Sequence, residues 1–268
     1  MILKKIINYF KNQALKPRLF YFNTIVLSAI FYLAVEFQHE NNTYYNIINS
    51  ADRYCSNESD TSKIKSIVLH VHEMMRDRHK IFRNKEILSW KQGFFKSVDV
   101  DLMYGAGSCG GNSKVLARSL YLAGFKVRIG QLKANKYYGA HILMEAFSKD
   151  FNKWILIDPL FGVVVTDSTG YPLSYIEAEQ HWEDIKNRFP LNYQLAYHYN
   201  GIRYTNWDKY GFLSKAIKSL AKCCIAPNKI EEFSLRPLLL STYKVYLILL
   251  IALFIFFHGI NFYFFNKK

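Results

Sequence analysis

Acidic side chains are in short supply: 21 Asp and Glu stand against 35 Lys and Arg, leaving a formal charge of +14. A surplus of that size raises nucleic acid as a partner. Here the basic residues are spread along the chain and no nucleic-acid motif accompanies them, so no nucleic acid is expected. The surplus reads instead as anchoring flanks and a surface held against anionic lipid or an anionic envelope polymer. Cysteine is equally sparse, with only Cys55, Cys109, Cys223 and Cys224. None forms a C-x-x-C pair, which excludes a zinc ribbon and a thioredoxin-type motif. Cys55 could pair with Cys223 or Cys224 in an oxidising compartment, and spacing does not choose between them. The chain also lacks an internal repeat, a low-complexity tract and a Gly-rich phosphate loop. Solenoids and phosphate-loop nucleotide enzymes are thereby set aside, and no cofactor is expected.

Charge is missing altogether from two stretches. Leu19 to Val35 is rich in Leu, Ile, Val, Phe and Tyr, and Val245 to Phe265 is interrupted only by His258, Gly259 and Asn261. Both are long enough to be read as membrane-spanning helices, the first at the short end of the range. Val35-Glu36-Phe37 is a poor signal-peptidase site, so the first run is expected to stay as an anchor. Lys4, Lys5, Lys11, Lys16 and Arg18 precede it, and Lys267 and Lys268 follow the second run. The positive-inside rule then makes residues 1–18 a cytoplasmic flank, with both termini cytoplasmic and residues 36–244 extracytoplasmic.

Between the spans, the Asn-rich Glu36 to Asp60 reads as a linker. It holds two glycosylation sequons, Asn41-Asn42-Thr43 and Asn57-Glu58-Ser59, which matter only in a eukaryotic secretory pathway. Asp60 or Thr61 caps a helix in which Ile64, Ile67, Val68, Val71, Met74 and Met75 share a face. His70 and His72 on it are two residues apart and point away from each other, so no metal site is expected. A second amphipathic run, Ser113 to Ala123, ends at Gly124. Lys126 to Leu132, Ala140 to Phe147 and Lys153 to Asp158 follow as strands, giving an α+β domain with its core over about 60–165. Residues 166–235 form an aromatic-rich extension, with Tyr171, Tyr175, Trp182, Phe189, Tyr193, Tyr197, Tyr199, Tyr204, Trp207 and Tyr210, which serve either as sugar-stacking platforms or as amphipathic residues covering the core or facing the membrane interface.

Chemistry concentrates between Gly105 and Pro159. Cys109 lies in Gly-Ser-Cys-Gly-Gly directly before the second amphipathic run. A thiol at a helix start meets free backbone N–H groups and the positive dipole end, which favours the nucleophilic thiolate. A thiolate that attacks a carbonyl needs a partner to return a proton to the leaving group, and histidine does so near neutral pH. His141 and Asp158 stand on the two later strands. If Phe147 pairs with Asn152 around a four-residue loop, the same register sets His141 directly opposite Asp158 on one face. Backbone N–H groups around Cys109 could then receive the developing oxyanion.

At these residues the chain resembles the transglutaminase-like superfamily of cysteine enzymes, whose fold is related to papain-like proteases. The shared pattern is Gly107-Ser108-Cys109, Leu116 and Leu120, Gly124-Phe125, Arg128, His141 with Glu145, and Trp154 with Asp158-Pro159. It covers about residues 100–162. The resemblance implies a helix packed on an antiparallel sheet, with Cys109 as nucleophile, His141 as general base and acid, and Asp158 as its orienter. It implies a thioester formed from an amide of a peptide, protein or glycan and passed to water or an amine. Tyr104 and Gln92 are the side chains considered as oxyanion donors. No β-sandwich domains like those of animal transglutaminases accompany the core, which argues against protein cross-linking. A membrane-bound binding or assembly module with the same fold and no turnover is the competing expectation.

Overall fold

The computed structural model describes residues 15–55, 59–78, 90–104, 109–134 and 137–265. The Gly105–Ser108 turn, the second sequon's Asn57 and the terminal lysines 4, 5, 11, 267 and 268 lie outside the described residues. The chain divides into two compact units, 1–40 with 241–268, and 41–240.

The first unit contains most of a long helix, α1 (Leu15–Asp52), and a C-terminal helix, Thr242–Phe265. Both are long and apolar enough to cross a membrane. Their apolar side chains point outward, with Ile25 68% and Phe31 73% exposed, and Ile255 and Phe256 on the other helix exposed as well. Water would penalise that surface, whereas hydrocarbon would not. The helices touch each other through an edge-on contact of Phe22 with Phe257 at 5.6 Å and a hydrogen bond from Ser241 Oγ to Glu40 Oε2 at 3.3 Å.

The expected linker after the first span is not irregular. Helix α1 runs on to Asp52, and its last part carries Tyr44, Ile47, Ile48 and Ala51 into the core of the second unit. Those four stand at i, i+3, i+4 and i+7, a helical stripe that burial rewards despite the low helix propensity of the Asn around it. Helix α2 (Asp60–Met75) buries Ile64, Ile67, Val68, Val71 and Met75 along one face. Its cap is Ser59, whose hydroxyl accepts from Ser62 N at 3.1 Å, rather than Asp60 or Thr61. Those two residues instead tie the helix to a strand loop: Asp60 Oδ2 accepts from Lys149 N at 2.8 Å, and Thr61 N donates to Asp150 Oδ2 at 3.1 Å. Short helices α3 (Trp90–Phe95) and α4 (Val98–Tyr104) precede α5 (Cys109–Leu122). Gly124, at φ 93°, ends α5 as anticipated, with Gly124 N donating to Tyr121 O and Phe125 N to Leu120 O.

The sheet has five antiparallel strands in the order β4-β3-β2-β1-β5. These are β1 (Val127–Ala134), β2 (Tyr137–Ser148), β3 (Lys153–Asp158), β4 (Val163–Val164) and β5 (Ile202–Arg203). On one face Ile129, Met144, Ala146, Ile155 and Ile157 pack with α2, α5 and the end of α1. On the other, Leu132, Leu143 and Leu156 pack with Leu173, Tyr175, Trp182, Phe189, Tyr193 and Tyr199. Most of the aromatic extension is thus the second core of the domain.

The β2–β3 register corrects the expected one. Ser148 pairs with Lys153 and Phe147 with Trp154, so the loop is Lys149–Asn152. Asn152 takes φ 49°, a left-handed conformation that Asn tolerates, and its N–H donates to Lys149 O at 3.2 Å. The slip relative to the expected pairing is two residues, the side-chain period of a strand, so every side chain keeps its face.

Candidate active site

Helix α5 starts at Cys109, so the thiol stands at the end where backbone N–H groups lack intrahelical partners. The first turn is fastened to β2. Ser113 Oγ donates to Cys109 O at 2.6 Å and lies 3.4 Å from Ile142 O. Gly110 passes over the Ile142 side chain, and a Cβ there would sit 3.5 Å from Ile142 Cδ1. Cys109 is therefore held beside the strand position that follows His141. It is half-buried and, like Cys55 and Cys223, in no disulfide among the described residues; the side chain of Cys224, the other partner considered for Cys55, lies outside them.

His141 Nε2 lies 2.6 Å from Asp158 Oδ2, and both side chains are fully buried. The other carboxylate oxygen is used too: Asp158 Oδ1 accepts from Leu160 N at 3.0 Å and Phe161 N at 3.3 Å. The chain after Pro159 thereby holds the carboxylate in one orientation. Nδ1, the ring nitrogen turned from Asp158, is buried and left to the Cys109 side. Burial disfavours the imidazolium, but the Asp158 hydrogen bond and charge, together with the neighbouring Cys109 sulfur, outweigh it and raise the pKa from 6.5 to about 9.

The imidazole is walled by aromatic rings. Tyr197 stacks on it at 4.3 Å and 21°, Tyr193 meets it edge-on at 5.9 Å, and Phe161 at 6.4 Å. Tyr193 and Tyr199 share a hydroxyl hydrogen bond of 2.9 Å, and burial together with the Asp158 charge pushes both phenols upward in pKa. Tyr197 is raised by its burial and then by the charges of Cys109 and Asp158, so its ring lies within reach of both. Tyr197 was legible in the sequence only as one aromatic among many; no spacing rule joins it to His141.

The accessory residues of the sequence pattern form a separate brace on the same sheet face. Arg128 Nε donates to Glu145 Oε2 at 2.6 Å and Nη1 to Glu232 at 3.1 Å. Its guanidinium lies between the rings of Trp154 and Tyr204, at 4.4 and 4.5 Å. Glu145 Oε1 also accepts from Tyr175 N at 3.0 Å, and Oε2 accepts from the Tyr204 hydroxyl. Every charge in this buried group is matched, and it ties β1, β2 and β3 to the extension.

No protein-family model, curated protein or solved structure matches this chain.

Of the two side chains considered for an oxyanion, Gln92 is half-buried on α3 and Tyr104 ends α4, its side chain outside the described residues. His70 and His72 part company as the helix geometry requires. The His70 ring stacks near Tyr54 at 6.2 Å, while His72 lies against Gly162.

Proposed function

We propose that this chain is a membrane-anchored cysteine enzyme of the transglutaminase-like type, acting on an amide bond through a thioester acyl-enzyme. The observation that carries the reading is the buried His141–Asp158 contact on a ring whose protonation also responds to Cys109. Asp158 fixes Nε2 and leaves Nδ1 as the nitrogen that can exchange a proton with the sulfur. The Cys109 thiolate attacks the amide carbon, and the C–N bond breaks as the imidazolium gives its proton to the departing amine. Water or a second amine then attacks the thioester, losing a proton to the imidazole, and the thiolate leaves.

The two apolar helices supply the attachment, with both termini cytoplasmic and the domain outside, where peptides, proteins and amide-bearing glycans of an envelope are within reach. Tyr104, Gln92 and the backbone N–H groups at the start of α5 are the candidate oxyanion donors.

Full-length protein in lipid nanodiscs, offered envelope peptides and amidated glycans with hydroxylamine as the acceptor, tests the reading. Intact mass is expected to show an acyl adduct on the wild type and none on Cys109→Ala, with hydroxamate released only by the former. Equal hydroxamate release by Cys109→Ala defeats the assignment.

A further inference from the structure

Arg236 is a half-buried cation that no carboxylate pairs with among the described residues. Its side chain makes no ion pair or hydrogen bond among the described residues, in contrast to the fully matched Arg128. The segment before it is firmly placed. Ser234 Oγ donates to Ile129 O at 3.0 Å and accepts from Ile129 N at 3.1 Å, and Leu235 N donates to Thr205 Oγ1 at 3.1 Å. The single helical turn Arg236–Leu239 then packs against both β1 and α5.

A second arginine faces the same place. Arg203 pairs across the sheet with Gln131, which in turn pairs with Ile142, the residue under the first turn of α5. A row of same-face positions thus runs from beneath Cys109 and Gly110, through Ile142 and Gln131, to Arg203. Arg203 Nη2 donates to Gln131 Oε1 at 3.1 Å, which steadies it. Burial and the like charge of Arg203 lower the Arg236 pKa, while the charge of Cys109 works the other way, so Arg236 is an electrostatic neighbour of both.

Two cations brought together near a nucleophile, one of them without a carboxylate partner among the described residues, cost free energy that an anion would recover. A guanidinium presents a planar fork of donors that matches a carboxylate. We infer that Arg236, supported by Arg203, forms an anion subsite beside Cys109 that binds a carboxylate on the acyl donor. The substrate class narrows accordingly to amides whose acyl portion carries a nearby free carboxylate, as in acidic peptides. This inference rests on the proposed function for its meaning, but its test does not require turnover.

The probes are iodoacetate and iodoacetamide, which alkylate the same sulfur and differ in one carboxylate. Rates at Cys109 are read by peptide mass mapping on the full-length protein, with Cys109→Ala as the control. The subsite predicts that the iodoacetate-to-iodoacetamide rate ratio falls about five- to tenfold in Arg236→Gln, and less in Arg236→Lys, at low salt. Taking the ratio cancels any change in the reactivity of the thiol itself. Arg203→Gln provides a second variant and is expected to lower the ratio in the same sense. Ratios unchanged in both glutamine variants overturn the subsite while leaving the catalytic reading intact. A Cys109 inert to both reagents in the wild type defeats the catalytic reading instead. Acetate is expected to suppress the ratio more than inorganic phosphate at equal ionic strength; the reverse order overturns the assignment to a carboxylate.

Discussion

His141 and Asp158 meet diagonally across two strands. Met144 pairs with Ile157, so continuing the register by one residue sets Asp158 opposite Leu143, yet its carboxylate reaches His141 Nε2 at 2.6 Å. Diagonal neighbours on one face are roughly 7 to 8 Å apart at the backbone, a gap that an imidazole and a carboxylate together span. The arrangement leaves Nδ1 turned from the acid and available to the Cys109 side.

The His141–Asp158 contact should appear in the pH dependence of stability. The folded pKa of about 9 exceeds the unfolded 6.5, so the stabilisation is complete below about pH 6.5 and is lost as pH rises through about 9. By the usual 1.4 kcal/mol per unit the full span is on the order of 3 kcal/mol. Thermal unfolding of wild type and Asp158→Asn between about pH 6 and 10 measures it. The wild type is expected to lose stability across that window and the variant to show a flatter profile; parallel profiles would falsify the link.

The brace around Arg128 is structural and should fail when one charge is removed. Glu145→Ala leaves the buried guanidinium with only the exposed Glu232 as counter-charge, and a loss of about 3 kcal/mol is expected in chemical denaturation. Arg128→Lys should recover little, because an ammonium cannot reproduce both the carboxylate fork and the stacking on Trp154 and Tyr204. A Lys variant as stable as wild type would show that charge alone suffices.

Asn152 sets the loop that fixes the β2–β3 register. At φ 49° a Gly should be accepted with little change, whereas Asn152→Val should cost about 1 to 2 kcal/mol. Unfolding midpoints of the two variants distinguish backbone strain from loss of the side chain. If both lose stability equally, the amide group of Asn152 matters and its conformation does not.

Gly130 lets β5 approach β1. A Cβ at that position would lie 2.3 Å from Ile202 Cδ1, the end of a flexible side chain, so Gly130→Ala is expected to cost about 1 kcal/mol rather than unfold the domain. Combining it with Ile202→Ala removes the clashing atoms, and the double variant should lose less than the two single losses added. Strict additivity would mean that the two positions do not touch. Because Arg203 follows Ile202, the single variant should also lower the iodoacetate preference.

The sequence alone determined the local features whose signals are short in range. The face of α2 follows from apolar residues at three- and four-residue steps, and the end of α5 follows from Gly124, because period and capping depend on neighbours within a turn or two. The same holds for the shared face of His141 and Asp158, since strand alternation survives any even slip. The continuation of α1 was also present as the stripe Tyr44, Ile47, Ile48 and Ala51, but the surrounding Asn obscured it. Only the tertiary structure decided the exact β2–β3 register, where the αL preference of Asn152 outweighed the simplest loop. It alone brought Tyr197 onto the imidazole from 56 positions away (197 minus 141) and turned the aromatic stretch into a second core. It likewise brought Arg236 into electrostatic reach of Arg203 and of Cys109. Contacts of that kind depend on how chain segments far apart in sequence pack, and packing leaves no periodic trace in either segment.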